Sequence, residues 1–87
     1  MITFKQRLRA CEIPPDYRMT KMQKLRERFV VRMNQLSLLL NYPQELTKKQ
    51  IDLACTLRAR LTEQYTARRL QESLALLETE RLVRELS

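Results

Sequence analysis

The sequence has no glycine, histidine or tryptophan, only three prolines, and two cysteines. Each shortage removes a class of structure or chemistry. Without glycine there is no phosphate-cradling Gly-rich loop, no dinucleotide fingerprint, and no ready residue for the left-handed hairpin turns on which small β-folds depend. Without histidine there is no imidazole base and no His-containing zinc site. Cys11 and Cys55 are far apart and match no C-x-x-C spacing, so they do not read as metal ligands. Both sit among apolar residues of helical patterns, and the expectation is two reduced, buried small hydrophobes. No stretch has the length and hydropathy of a membrane span, and no apolar signal segment follows the cationic start, so a cytoplasmic setting is expected.

What is present is positive charge and helical periodicity. The 87 residues carry 17 Lys+Arg against 10 Asp+Glu, a net charge of +7. So short a chain supports one domain, spanning 1–87, and buries only about 60% of the surface its unfolded form exposes. Help from a partner or from self-association is therefore in keeping with its size.

Three tetrapeptides, Thr3 to Gln6, Thr20 to Gln23 and Thr47 to Gln50, share the pattern Thr-x-x-Gln. In such a capping box the Thr hydroxyl accepts from the third helical amide, and the Gln side chain accepts from the Thr amide. The third is strengthened by Leu46 and Ile51, placed as a hydrophobic staple. Asp16, after Pro14-Pro15, is a rival start for the second helix. The predicted fold is an all-α bundle built on an antiparallel helical hairpin, with helix 1 over about 3–12, helix 2 over about 17–41 and a long helix 3 over about 47–86.

Helix 1 carries a narrow stripe of Phe4, Leu8 and Cys11, and stops before Pro14 because a residue preceding proline leaves the α region. Helix 2 carries Met22, Leu25, Phe29, Met33, Leu36 and Leu40 at alternating three- and four-residue spacing, a coiled-coil-like seam. Phe29 and Leu36 are expected to face Leu57 and Leu61 across the hairpin. In the third stretch the stripe changes side. At 100° per residue Ala54, Leu57, Leu61 and Tyr65 share one face, whereas Leu70, Leu74 and Leu77 fall about half a turn away. A continuous helix of that length, about 60 Å, would outreach helix 2 and offer a second apolar face. The alternative is a break near 62–69 that folds the last segment back as a fourth helix.

Two surfaces are the candidate sites. Lys21, Lys24, Arg28 and Arg32 lie within about 80° on one flank of helix 2 at a rise of about 4.5 to 6 Å per step, comparable with a phosphate repeat. With Lys5, Arg7 and Arg9 they form the expected contact with phosphate or with an acidic protein. Aliphatic stems on such a flank also serve simply to cover the edge of a seam. The second surface is apolar: Leu70, Leu74 and Leu77, together with Val31 and Leu38 on the back of helix 2, need a lid. That lid is helix 1 and a folded-back C-terminal segment, a symmetry mate, or a foreign protein. No cluster of acid/base groups stands out from ordinary surface charge patterning, so no enzyme activity and no cofactor or metal is expected. The expected function is a non-catalytic protein-interaction module, of the kind found among phage and plasmid accessory factors, that modulates or inhibits a larger protein machine, with machines that handle nucleic acid among the candidates. The alternative is a mainly electrostatic DNA- or RNA-binding protein acting as a dimer.

Overall fold

The computed structural model describes residues 1–14 and 17–87. All three predicted capping boxes close in both directions. The amides of Thr3, Thr20 and Thr47 each donate to the Oε1 of the following Gln at 2.9 Å, and the Gln6, Gln23 and Gln50 amides donate back to the Thr Oγ1 at 3.1, 3.2 and 3.2 Å. They start α1 (Phe4–Ala10), α2 (Lys21–Leu40) and α3 (Lys48–Thr66). The rival cap Asp16 lies outside the described residues. Tyr17 sits in a turn, so α2 starts at Lys21 rather than near 17. Helix α1 is shorter than the expected 3–12 and ends with Cys11 as its C-cap.

The long third helix is not continuous: it stops at Thr66, and a separate α4 (Leu74–Leu86) follows. Neither proline nor glycine makes the stop. Arg68 adopts the left-handed conformation, φ 58°, while the Arg69 amide reaches back to the Gln64 carbonyl at 2.8 Å and the Arg68 amide to the Tyr65 carbonyl at 3.1 Å. This is a Schellman motif with arginine in the position glycine usually takes. The left-handed backbone costs a residue with a Cβ about 1 to 2 kcal/mol. The cost is offset because the break lets Leu76, Leu82 and Val83 turn into the core, where burial stabilises by about 1.5 to 3 kcal/mol per large aliphatic side chain. Ser73 then caps α4 by accepting from the Leu76 amide at 3.3 Å, and its hydroxyl donates to Gln64 Oε1 at 2.9 Å. We expect Arg68→Gly to raise stability by about 0.5 to 1 kcal/mol, seen as a higher urea midpoint. A lower midpoint would show that the Arg68 side chain holds the turn.

Helices α2 and α3 form the predicted antiparallel hairpin, joined through a short 3-10 turn at Pro43–Glu45, and α4 returns against both. Phe29, Leu36, Leu57 and Leu61 are all fully buried in one cluster with Leu8, Leu39, Ala54 and Leu76. The rest of the predicted seam is displaced. Met22 is 56% exposed and Leu25, Met33 and Leu40 are half-buried, whereas Val31, Gln35 and Leu39 are buried. The reason is that α2 is covered on more than one side, by α1 and α4 as well as α3, so its buried surface is wider than one stripe. At the far end of the hairpin the Phe4 ring meets Tyr42 at 5.5 Å. Cys55 departs from expectation: both thiols are free, but Cys55 points to solvent because it falls outside the Ala54, Leu57 and Leu61 face. The molecule measures 37 × 28 × 18 Å, about two helices thick, so every helix keeps an outward face. Among the described residues no helix is long and apolar enough to cross a membrane.

Candidate partner-binding surface

The predicted basic row on α2 divides into two halves with different fates. Lys21 and Lys24 are exposed. Arg28 and Arg32, one and two turns further on, are drawn into an ion network with α4 and the end of α1. Arg28 grips Glu80 with two parallel bonds, Nη2 to Oε1 at 2.8 Å and Nε to Oε2 at 3.3 Å, and also pairs with Glu72. Arg32 donates to Glu80 at 3.2 Å, to Glu12 at 2.6 Å and to Gln35 Oε1 at 2.7 Å. Gln35 has no exposed surface. Its Nε2 donates to the Leu8 carbonyl at 3.1 Å and to Glu12 at 3.0 Å, so a buried amide is satisfied at both ends.

The energetics of this cluster follow from its burial. Desolvation pushes the Glu80 carboxyl upward, but hydrogen bonds and charge from Arg28 and Arg32 outweigh it and hold the carboxyl below its ordinary value. Arg28 is correspondingly held more firmly protonated by its bonds to Glu80 and Glu72. Burial, with some help from Glu12, pushes the Cys11 thiol up, away from thiolate chemistry. Reasoning from spacing did not find Glu12, Gln35, Glu72 or Glu80. One signal was present: Leu76, Glu80 and Val83 share helical spacing, and an acid on an apolar stripe calls for a buried cation.

The other predicted residues also divide. Lys5, Arg7 and Arg9 are exposed along α1. Val31 is 5% exposed, and Leu38 and Leu70 pack half-buried against the core. These three are covered largely by the chain itself, which supplies the lid that the sequence called for. Leu74 and Leu77 behave otherwise, at 72% and 47% exposed. The face of α4 turned inward is Ala75, Leu76, Thr79, Leu82 and Val83, with the Thr79 hydroxyl satisfied by the Ala75 carbonyl at 2.6 Å. Leu74 and Leu77 therefore stand on the outer side, around a shallow depression of about 300 Å³ shared with Glu78, Arg81 and Arg84.

Further concavities bring some of these residues together with others that the sequence did not single out. A cleft of about 240 Å³ runs between α2 and the segment that follows α1, walled by Ile13, Met19 and Val31 and closed at one side by the engaged Arg28 and Arg32. A wider hollow of about 580 Å³ opens at the end of the hairpin, where Met22 and Arg26 of α2 meet Tyr65, Arg68 and Leu70. Among the described residues no three His, Cys, Asp or Glu side chains converge so as to hold a metal ion. Comparison of the chain with protein-family models, with curated proteins and with solved structures found no match.

Proposed function

We propose that the chain is a non-catalytic interaction module that acts by occupying an acidic surface of a larger protein. The observation that supports it is the outer side of α4, where the exposed Leu74 and the half-exposed Leu77 stand beside Arg81 and Arg84, neither of which has a side-chain ion-pair or hydrogen-bond partner among the described residues; Glu78 and the engaged Glu80 share the same depression. Arginine is enriched and lysine depleted in interface patches. Leu74→Glu with Leu77→Glu is expected to abolish capture of a partner from nuclease-treated lysate. Because both leucines face outward, the variant keeps its helical circular dichroism and a stability within about 0.5 kcal/mol of the parent. Undiminished capture removes α4 from the interface.

A second reading has its own support. Lys5, Arg7, Arg9, Lys21 and Lys24 are exposed and, among the described residues, unpaired, so electrostatic binding to nucleic acid rests on these residues and not on Arg28 or Arg32. Titration with random duplex and single-stranded DNA at two salt concentrations separates it from the first, since counterion release makes such binding fall steeply with salt.

A further inference from the structure

From the hollow at the end of the hairpin we infer a docking site for an acidic amphipathic segment of a partner protein, an inference that rests on the interaction-module reading and names the chemistry of its target. Three of its five lining residues are apolar or aromatic: Met22 is 56% exposed and Tyr65 37%, and Leu70 is half-buried against the core. Its charges are of one sign. Arg26 and Arg68 line it, and among the described residues no carboxylate does and neither guanidinium has a partner. This sets the hollow apart from the cleft beside α2, where Glu12 and Glu27 stand among the cations and Glu80 occupies the arginines.

A second observation points the same way. Arg68 is the left-handed residue of the turn, where glycine would relieve the backbone at no loss to the core. Strained positions of this kind gather where a side chain is needed in one place. Here the strain carries a guanidinium to the rim of an apolar hollow, one turn of chain from Tyr65. The complement is a segment that presents a large apolar side chain every three or four residues with Asp or Glu beside it, a helix laid into a groove. A second copy of this chain is a poor occupant, because each molecule carries a net charge of +7 and a two-fold contact would set Arg26 and Arg68 against their own images. Nucleic acid is disfavoured because Tyr65 is the one ring among the lining residues on which a base could stack.

The test uses the full chain and a fluorescent synthetic helix of about five turns, Leu at i, i+3, i+4 and i+7 and Glu on the flanks, followed by anisotropy. Its comparison probes are the same peptide with Leu replaced by Ser, and an oligothymidylate. The Leu/Glu peptide is expected to bind and the Ser peptide to bind at least about tenfold more weakly, a difference of about 1.4 kcal/mol. Arg26→Glu with Arg68→Glu should weaken Leu/Glu binding by at least about tenfold, whereas Lys5→Glu with Arg9→Glu, which changes net charge equally, should leave it within about twofold. Met22→Ser with Tyr65→Ser should cost a similar factor, and Arg68→Gly should weaken binding while raising the urea midpoint. Equal losses from the two charge-reversal pairs would overturn the site, reducing the effect to net charge. Oligothymidylate binding that depends on Arg26 and Tyr65, with no peptide binding, would overturn the peptide assignment. Light scattering showing a dimer that Arg26→Glu dissociates would assign the hollow to self-association and overturn the inference. Failure of this site leaves the interaction-module reading standing if α4 variants still lose partner capture; failure of both removes that reading as well.

Discussion

Phe29→Ala is expected to destabilise the protein by about 3 to 5 kcal/mol, the usual cost of a fully buried aromatic-to-alanine change. Phe29 has no exposed surface and belongs to the cluster that holds Leu36 of α2 and Leu57 and Leu61 of α3. A domain of this size has a total stability on the order of 5 to 10 kcal/mol, so the variant would lose about a third of it or more. Urea unfolding followed by circular dichroism measures the loss. The slope of the transition should stay the same while the midpoint falls, because the change removes core contacts without altering the surface exposed on unfolding. A midpoint equal to that of the parent would mean that the hairpin core does not depend on its largest side chain.

The second large effect belongs to Glu80. Among the described residues its carboxylate is the one acid that Arg28 and Arg32 share, and its side chain is 14% exposed. Glu80→Ala leaves two guanidiniums short of a partner. Removing one side of a buried ion pair costs about 3 to 5 kcal/mol. Water reaches Arg28, whose side chain is 34% exposed, and Glu12 still holds Arg32, so about 2 to 3 kcal/mol is the expected loss. The same carboxylate gives a pH signature. Its folded value lies below its ordinary value of 4.5, so its stabilising contribution is fully present above that value and is lost as pH falls through the folded one. Glu80→Gln keeps the shape and removes the titration. The stability gap between parent and Gln variant should therefore be widest near neutral pH and shrink as the solution is acidified below about pH 4.5. A gap that is flat across that range would show that Glu80 contributes by packing alone.

What the sequence made legible was local. The capping boxes are tetrapeptides whose four residues carry the whole signal, and Thr3, Thr20 and Thr47 start their helices as read. The core of the hairpin was legible because Phe29, Leu36, Leu57 and Leu61 repeat at helical spacing. The stop after Thr66 was half-legible. The apolar stripe rotates there, yet no glycine or proline marks the turn, and a left-handed arginine has no sequence signature. Pairing across the fold was not legible. Arg28 and Arg32 look like the second half of a solvated basic row until α4 folds back and sets Glu80 against them. Burial within the chain also takes in Val31, Leu38 and Leu70 to different degrees, leaving Leu74 and Leu77 of that apolar set on the outside.

The Arg28, Arg32 and Glu80 cluster also fixes where α4 stands along the hairpin. Leu76, Leu82, Val83 and Leu86 make a greasy face on which leucine replaces leucine, and a slide of one turn, about 5.4 Å, would exchange one aliphatic contact for another at little cost. The carboxylate has no such freedom. Its two-pronged bond to Arg28 and its contact with Arg32 are made together at one axial position, and a slide of one turn would leave the carboxylate with at most one of the two arginines. Hydrophobic burial brings α4 down onto the bundle, and the ion network selects its register.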